Sequence, residues 1–580
     1  MFLKRLCAAV LCLCLPAAAL SLPAAAAEPF DDVPVSSYAY QDILDLREMG
    51  ITEGIGNNLY GINQTLKRAD FVVLLSRLLG WETDESAASS FSDIPDPLYS
   101  YATAHIAAAV EHGAIEPGGT FRPGDNITRE EIACMLVGAL GYGTLAQQEE
   151  VTGMDSPFTD VSLASRPDTY GRIILAYDFG IINGIPDNGT YRFEPLSSAT
   201  REQAAAMVMR LYRRVYSPLE QIHTFYHYTG GSQQKDLLAQ SDSVSFGWAK
   251  LEYWNSKNGS YLNTTSQNSN SWYPSGNAAQ LTAPLTQAQI PFNLCIYMDR
   301  SQKVTLPDGT QARDVDLILS DPAQRASAIE QIVSFVCGTD GGLVYNGVTI
   351  DFEGLTLASY AEQLNSFMRE LRAALPEDKD LSIAVPPRDW YKGYDYRTLG
   401  EICDRIILMA HDYASTTMPD YMKDTELPET PLAPIARVYT ALRDITNPTD
   451  GVLDRSKILL AVSFGTVRWE IVDGKVQNTN AKTSGTAAVY NRLSQSGTEM
   501  MYFDRYESPC IRYFDSSDNT LNVVWYEDAR SVEAKAELAA MFGINGISLW
   551  QAGIIPNYEN PGQRDIFFDV WPVLQDLRAK

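Results

Sequence analysis

The chain has 580 residues, with 45 Lys and Arg against 72 Asp and Glu, and its formal net charge at pH 7 is −27. A chain of this length exceeds one compact core, so we expect roughly two to four domains. The excess of acidic side chains argues against nucleic acid or an anionic membrane surface as the main partner.

The start of the chain, 1–27, has the pattern of a secretory signal peptide. Lys4 and Arg5 precede an apolar run over 6–20, and a run of four alanines ends just before Glu28. A basic start, an apolar run and a small-residue cleavage site are typical of such signals. A membrane anchor is the alternative, but no later stretch reaches the roughly 18 apolar residues that a span needs. We therefore expect an exported protein with no membrane span in its mature form.

The cysteines and histidines do not predict a metal site or a disulfide framework. The five cysteines beyond 1–27 are odd in number and scattered, which favours small buried thiols. They are Cys134, Cys295, Cys337, Cys403 and Cys510. His223 and His227 have the spacing of a helical metal pair, but a third ligand is not evident nearby. With no nucleotide, flavin or metal motif in the sequence, we expect no cofactor.

A threefold repeat occupies 28–215, with units at 28–85, 86–148 and 153–215. Each unit opens on Phe-x-Asp, continues with a helix-like run that ends in a glycine turn, and closes with a helix that starts at an arginine. The opening aspartates are Asp32, Asp93 and Asp160, and the arginines are Arg68, Arg129 and Arg201. Self-similarity at a fixed period is the signature of repeated structural units.

Three such units in tandem resemble S-layer homology (SLH) domains. The resemblance implies a mainly α-helical module that holds an exported protein on the bacterial envelope by binding a secondary cell-wall polysaccharide, often pyruvylated. The three arginines lie at predicted helix N-termini, where backbone N–H groups and a guanidinium together favour an anion. The alternative is that each arginine pairs with the aspartate of its own unit, and both roles can coexist. We take these six residues as the candidate polymer-binding set.

The polar, glycine-containing segment 216–240 predicts a linker or an irregular first segment. From 241 to 578, apolar strand-like runs alternate with helical runs, which favours a parallel sheet buried on both faces. Seven strand candidates and a poorly defined one near Trp272 predict a closed (β/α)₈ barrel, with a doubly wound open sheet as the alternative. The seven candidates lie at 244–249, 292–297, 347–352, 381–385, 405–410, 458–464 and 547–550.

Acidic and aromatic residues follow three of these strands. Asp351 and Glu353 share one face of a strand and alternate with apolar residues of the other face. Neighbouring shielded carboxylates raise each other's pKa, which suits a general acid. The alternative is that these acids cap the next helix. Because Asp412 and Trp550 also follow strand ends, where such folds carry their chemistry, a sugar site is favoured.

Several ordered motifs resemble glycoside hydrolase family 18. The segment 346–353 (Asn-Gly-Val-Thr-Ile-Asp-Phe-Glu) is similar to its Asp-x-x-Asp-x-Asp-x-Glu signature, and 408–413 (Leu-Met-Ala-His-Asp-Tyr) resembles its Met-x-Tyr-Asp segment. The segment 546–550 (Gly-Ile-Ser-Leu-Trp) resembles its closing strand, whose Trp lies under the sugar. The segment 524–531 is similar to one in bacterial spore and cell-wall N-acetylglucosaminidases.

The resemblance implies substrate-assisted hydrolysis, in which Glu353 protonates the glycosidic oxygen and Asp351 orients the attacking acetamide. Asp412, His411 and Tyr413 would contact the sugar, and Trp550 would stack beneath it. Asn346 and Thr349 stand where the signature has aspartates, which shortens the acid relay behind Asp351. His411 replaces the usual Tyr, and either donates from its ring or forms part of the wall.

The leading hypothesis is an endo-β-N-acetylglucosaminidase that acts on peptidoglycan and is attached to the wall through its SLH units. A surface chitinase is the second hypothesis. Insoluble chitin favours a deep aromatic-lined cleft, and four tryptophans could line such a groove: Trp272, Trp390, Trp469 and Trp525. A lectin-like surface protein with an inactive barrel is the third hypothesis.

Overall fold

The computed structural model describes residues 29–227, 231–271, 273–274, 278–339, 342–389, 391–562 and 564–580. The predicted signal peptide lies outside these residues, as do Trp272 and Trp390. The chain divides into two compact units, Met1–Tyr216 and Ser217–Lys580. Within the described residues, no helix has the length and apolar character needed to cross a bilayer.

The first unit is mainly helical, as predicted, and each repeat contributes two longer helices. Helices α2, α4 and α7 begin at the three repeat arginines. In the second and third repeats, a threonine just before the arginine completes a capping box at the helix start. The elements are α1 (Tyr40–Glu48), α2 (Arg68–Leu78), α3 (Thr103–Glu111), α4 (Arg129–Ala139), α5 (Glu149–Thr152), α6 (Tyr170–Asp178), β1 (Ile185–Asp187), β2 (Thr190–Arg192) and α7 (Arg201–Val215).

The repeat arginines connect the three repeats in a closed cycle. Each guanidinium donates from Nε to a backbone carbonyl of another repeat and lies over the aromatic ring of that same residue. The pairs are Arg68 with Phe121 at 2.8 Å, Arg129 with Phe193 at 2.7 Å, and Arg201 with Tyr60 at 2.8 Å. The first repeat is thus bound to the second, the second to the third, and the third to the first.

The repeat aspartates do not pair with the arginines of their own repeats, so that alternative from the sequence is wrong. Each carboxylate instead accepts backbone N–H groups from the turn of its own repeat, as Asp93 does from Phe121 and Arg122, both at 2.7 Å. Asp32 accepts from Tyr60, Gly61 and Ile62, and Asp160 accepts from Phe193 and Glu194. The aspartate therefore fixes the turn whose carbonyl receives the arginine of another repeat.

The second unit contains an eight-stranded parallel barrel. In chain order its elements are β3 (Gln221–Tyr226), β4 (Ser243–Trp254), β5 (Gly259–Asn263), α8 (Ala278–Gln287), β6 (Phe292–Asp299), β7 (Lys303–Thr305), β8 (Gln311–Arg313), α9 (Asp314–Ser320), α10 (Pro322–Val336), β9 (Gly347–Glu353), α11 (Ser359–Ala374), β10 (Asp380–Val385), α12 (Tyr396–Ile402), β11 (Arg405–Leu408), α13 (Ile435–Ile445), β12 (Ile458–Ser463), β13 (Val467–Val472), β14 (Lys475–Val476), α14 (Thr486–Leu493), β15 (Glu499–Phe503), β16 (Ser508–Asp515), β17 (Thr520–Trp525), α15 (Ala529–Met541), β18 (Gly546–Trp550) and α16 (Trp571–Arg578).

The barrel order is β3-β4-β6-β9-β10-β11-β12-β18, and β3 closes the sheet by pairing with both β18 and β4. The (β/α)₈ prediction is confirmed, and the open sheet is wrong. The predicted eighth strand near Trp272 is also wrong, because β3 lies within the predicted linker 216–240. The sequence of β3 did not predict a strand, because it includes the polar residues His223 and Thr224 and is not a continuous apolar run, although both residues are buried.

An antiparallel five-stranded sheet, β14-β13-β17-β16-β15, is inserted between β12 and α15. Trp469 and Trp525, two of the predicted groove residues, are fully buried in its core. Their indole N–H groups donate to Thr430 Oγ1 and to the Pro428 carbonyl, both at 2.8 Å. These two tryptophans therefore do not line a groove, and their prediction is wrong.

The interior of the barrel holds a small apolar cluster directly below the strand ends. Phe225, Cys295, Ala384, Ile407, Leu459 and Ala461 form this cluster, with Met409 and Trp550 against it. Of the five cysteines among the described residues, Cys295, Cys403 and Cys510 are buried, as the sequence predicts, and Cys134 and Cys337 are partly buried. Side chains of alternate residues on each strand thus fill the lumen and leave space above it.

We predict that Arg129→Met lowers the free energy of unfolding of the first unit by about 2–3 kcal/mol. The substitution removes the buried guanidinium, so the carbonyls of Phe193 and Asn183 lose the donor that they accept from. A urea titration of the full chain, followed by hydrogen exchange within 29–216, measures this loss. The matched control is Arg77→Met on exposed surface of α2, for which we expect a change within about 0.5 kcal/mol. Equal losses of stability in the two variants would contradict a stabilising role of the contacts that Arg129 makes between repeats.

Candidate active site

A cavity of about 130 Å³ opens at the carboxyl ends of the barrel strands. Polar groups line it from β9 and from the segment after β11, and apolar groups line it from β3, β12 and β18. The lining residues are Phe225, Asp351, Glu353, Met409, His411, Asp412, Ala461 and Trp550. Five widely separated stretches of sequence therefore meet in one concave site, which is where barrel enzymes carry their chemistry.

The two acids of β9 lie in this cavity, as the sequence predicts. Asp351 is buried, with 1% of its surface exposed, and Glu353 is partly buried at the strand end. The pKa of Glu353 is raised to about 6, first by burial and then by the negative charge of Asp299, whereas His411 opposes the shift. Glu353 is therefore protonated under mildly acidic conditions and can donate a proton to a bound group.

His411 and Asp412, which follow β11, form a polar part of the cavity wall. His411 Nδ1 lies 2.8 Å from Asp412 Oδ2, and Asp412 adopts a left-handed backbone conformation, with φ of 56°. Burial by itself raises the pKa of Asp412, but the charge and hydrogen bond of His411 and a hydrogen bond from Ser463 lower it overall. Asp412 thus presents a negative charge at the cavity mouth.

Trp550 forms the apolar floor of the cavity together with Phe225. The two rings meet edge to face, with centroids 4.9 Å apart. A flat indole beside carboxylates suits the apolar face of a sugar ring. Phe225 was missed from the sequence, because it lies on β3, the strand taken for a linker.

Three of the predicted sugar-binding residues lie outside the cavity. Tyr413 packs beneath the guanidinium of Arg437, and its hydroxyl donates to the Arg437 carbonyl at 3.3 Å. Asn346 lies at the opposite end of β9, where its side chain accepts from Phe292 N at 3.0 Å. Thr349 is fully buried one inward-facing position before Asp351. The structure does not bring these three residues to the cavity: Asn346 and Thr349 lie deeper along β9, and Tyr413 is turned toward Arg437.

Thr349 belongs to a buried polar chain deep in the barrel. Its hydroxyl lies 2.7 Å from Ser245 Oγ, which in turn lies 2.9 Å from His223 Nε2. His223 Nδ1 lies 2.8 Å from Ser548 Oγ, and burial lowers the pKa of His223 to about 3. His223 is therefore neutral and forms part of the barrel core. Among the described residues, we find no group of three or more His, Cys, Asp or Glu side chains that could hold a metal ion.

In the first unit, the helix starts that carry the repeat arginines are already occupied. The backbone N–H of Arg68 donates to the backbone carbonyl of Asp125, that of Arg129 to the carbonyl of Ser197 and that of Arg201 to the carbonyl of Gln64. Arg68 and Arg129 are 7% and 5% exposed. The predicted anion site formed by free helix N–H groups is therefore wrong at these three positions, because carbonyls of another repeat take those groups.

Two exposed tyrosines flank these helix starts at equivalent positions. Tyr38 and Tyr101 each lie two residues before the first helix of their repeat and are 62% and 53% exposed. The Tyr101 hydroxyl donates to Asp70 Oδ1, in the first turn of α2, at 2.5 Å. In the third repeat, Arg166 instead binds Glu130 of α4 at 2.8 Å. Sequence reasoning missed these tyrosines, because nothing in the pattern separates an exposed ring from a core one.

Residues 308–553 match the model of the glycosyl hydrolases family 18, and residues 29–72, 90–133 and 157–205 match that of the S-layer homology domain.

Individual relatives match over parts of the chain. The cortical fragment-lytic enzyme of Bacillus subtilis is 26% identical over 218 residues, which cover 36% of this chain and 47% of that enzyme. The amylopullulanase of Thermoanaerobacterium thermosulfurigenes is 35% identical over 188 residues, 32% of this chain and 10% of that protein. The crystal structure of the Bacillus cereus spore cortex-lytic enzyme SleL aligns with a TM-score of 0.47 at 19% identity, over 62% of this chain and 74% of that chain. The chain thus spans less than half the length of each of these two curated relatives.

We predict that Glu353→Gln removes a loss of stability that the second unit of the wild type undergoes between pH 4 and pH 8. Because the pKa of Glu353 is raised in the folded state, the unfolded state loses this proton first as the pH rises from about 4.5 through 6. Stability falls over that window by about 2 kcal/mol in the wild type, and the amide removes the loss. Urea titrations of both proteins at pH 4 and pH 8 measure the difference.

The control for this prediction is Glu362→Gln on α11, whose side chain is 79% exposed. We expect its pH dependence of unfolding to match that of the wild type within about 0.5 kcal/mol. If Glu353→Gln also follows the wild type at both pH values, the pKa of Glu353 is not raised.

Proposed function

We propose that this chain, which carries three S-layer homology domains and a glycosyl hydrolase family 18 domain, is a cell-surface glycosidase. Its substrate would be a β-1,4-linked polymer that contains N-acetylglucosamine, with peptidoglycan favoured. The observation that carries the proposal is the meeting of Glu353, Asp351 and Trp550 in one cavity, with the pKa of Glu353 raised to about 6.

The proposed reaction uses the substrate's own acetamido group as nucleophile. Glu353 donates its proton to the glycosidic oxygen while the acetamido oxygen attacks the anomeric carbon and the bond to the leaving sugar breaks. The oxazolinium intermediate then accepts a water, which Glu353 deprotonates, and the anomeric configuration is retained. This route departs from the two-carboxylate scheme of most glycosidases.

The other cavity residues would serve this reaction by position and charge. Asp351 would orient the acetamide and stabilise the positive charge that develops on it. The His411–Asp412 pair would contact the sugar or its acetamide, and Trp550 would stack under the ring. Tyr413, Asn346 and Thr349 would act on this site only through neighbouring residues, since they lie outside the cavity.

Peptidoglycan is favoured over chitin by two observations. A chitinase working on a crystalline polymer benefits from a long aromatic groove, and Trp469 and Trp525 are buried in the inserted sheet and cannot supply one. A relative over part of this chain is named as a cortical fragment-lytic enzyme, and we take cortical fragments to be pieces of a cell-wall polymer. A surface chitinase and an inactive sugar-binding barrel are the alternatives.

The S-layer homology domains indicate anchoring at the bacterial cell surface. We propose that the chain is secreted and that this unit binds a secondary cell-wall polysaccharide. Attachment holds the barrel near its polymer and raises its effective concentration, so that the small cavity need not bind tightly. The repeat arginines and aspartates would support this binding by holding the repeats together, and Tyr38 and Tyr101 would offer rings to the sugars.

We predict that Glu353→Gln lowers kcat on peptidoglycan fragments about 10²–10⁴-fold, because the proton donor is lost. Asp351→Asn should lower it about 10²–10³-fold, because the acetamide loses its charge partner. Mass spectrometry of digests, with purified peptidoglycan and chitin oligomers as substrates, measures both and identifies the cleaved bond.

Glu362→Gln serves as the exposed control and should retain wild-type kcat. New N-acetylglucosamine reducing ends from peptidoglycan support the proposal, whereas cleavage of chitin oligomers alone supports the chitinase. If the wild type and Glu353→Gln both leave all substrates intact, the barrel is a binding domain.

We predict that the double variant Tyr38→Ala, Tyr101→Ala binds purified cell walls about tenfold more weakly than the wild type. Two exposed rings, each contributing about 0.5–1.5 kcal/mol of stacking, account for that factor. Co-sedimentation of the full chain with walls measures it, and walls stripped of the secondary polymer give the background. Tyr191→Ala removes a third exposed tyrosine, on β2, and should bind as the wild type does. Equal binding by all three proteins would exclude these rings as contacts.

A further inference from the structure

Asp299 is a carboxylate beside Glu353 that the sequence motifs do not mark. Strands β6 and β9 pair in parallel over seven residues, and the last pair joins Asp299 to Glu353. Paired residues of parallel strands point to the same face, so Cys295, Tyr297 and Asp299 share the inner face with Thr349, Asp351 and Glu353. Cys295 confirms this direction, because it belongs to the cluster inside the barrel.

The carboxylate of Asp299 is held in place by neutral donors. Its Oδ1 accepts from Ser301 N at 2.6 Å, and its Oδ2 accepts from the Tyr297 hydroxyl at 3.2 Å. A Cβ placed on Gly354 would lie 3.5 Å from Oδ1, so this oxygen lies against the backbone that directly follows Glu353. Among the described residues, Asp299 forms no ion pair that would neutralise its charge. Arg300 is engaged elsewhere, over the ring of Tyr360.

The surroundings of Glu353 contain few other charges. Asp299 is the neighbouring charge with the largest effect on the pKa of Glu353 after burial, followed by His411, which lowers it, and Asp412, which raises it. The titratable groups that face Glu353 from β6, β9 and the segments after β10 and β11 are Tyr297, Asp299, Asp351, Tyr391, Tyr394, His411 and Asp412.

The family signature that 346–353 resembles has two further aspartates before Asp351, and here they are Asn346 and Thr349. Neither can carry a negative charge, and Thr349 is instead bonded to Ser245 and Asn293. The charge missing from β9 therefore has a counterpart on the adjacent strand, at the same height as the proton donor.

We propose that Asp299 supplies, from β6, a carboxylate in place of those that the shortened signature lacks on β9, and that it holds Glu353 in its proton-donating form. Two negative carboxylates at adjacent strand ends repel each other, so keeping both of them charged costs free energy. Asp299 is the carboxylate that accepts hydrogen bonds from Ser301 and Tyr297, so Glu353 is the one that keeps its proton. Asp299 is a positioning residue, because it acts on the substrate only through Glu353. This inference rests on the proposed role of Glu353 as general acid.

The pH profile of kcat/KM tests the inference. Activity falls at alkaline pH when Glu353 loses its proton. Asp299→Asn removes the neighbouring negative charge and lowers the pKa of Glu353, so the alkaline limb should move to lower pH by about half a unit or more. Asp299→Glu keeps the charge and should restore the limb toward that of the wild type. Asp308→Asn, in the exposed turn between β7 and β8, makes the same charge change far from the site and should leave the profile unchanged.

A second measurement does not depend on hydrolysis. Titration of [¹³C-carboxyl]Glu-labelled full chain by NMR, with Glu353→Gln to assign the signal, gives the Glu353 pKa directly. We expect a lower pKa in Asp299→Asn than in the wild type. An unchanged Glu353 titration in a folded Asp299→Asn protein overturns the inference. A lowered titration in a protein that cleaves none of the substrates supports the Asp299–Glu353 interaction and overturns the proposed function instead.

Discussion

The pairing of β3 with both β4 and β18 closes the barrel, and the candidate site depends on that closure. A closed sheet has an interior that side chains can fill, so the carboxylates at the strand ends lie above an apolar floor and not in open water. Without β3, Phe225 would be absent from the floor and Trp550 would lie on an edge strand. The raised pKa of Glu353 has burial as its largest cause, and is therefore a consequence of closure.

Charge in the site comes from neighbouring strands as well as from β9. Glu353 and Asp299 are 54 positions apart in the sequence and adjacent in the sheet, whereas Asn346, just before β9, and Glu353, its last residue, lie at opposite ends of that strand. Because strands rise about 3.3 Å per residue, a motif written along one strand spans the whole depth of the barrel. A signature read from a single segment therefore mixes residues that line the cavity with residues buried beneath it.

In the first unit, contacts of the repeat arginines and aspartates join three small repeats into one compact unit. A backbone segment such as that of Phe121 receives the aspartate of its own repeat at its N–H and the arginine of the preceding repeat at its carbonyl. Arginine suits this position because its planar guanidinium can bond a carbonyl and stack on a ring at once. The same arrangement leaves little of the buried arginines for a ligand, which shifts attention to exposed groups at the repeat boundaries.

The sequence by itself determined the repeats, seven of the eight barrel strands and the pair Asp351 and Glu353, because apolar runs and two-residue alternation are local patterns. It also placed the arginines at helix starts, since capping signals are local. The tertiary structure alone decided which partners those arginines bind, that β3 is a strand, and that Trp469, Trp525 and Tyr413 are not at the site. It also decided that Asp299 lies beside Glu353. Each of these depends on which distant segments pack together, and burial and pairing between distant segments leave no mark in a local pattern.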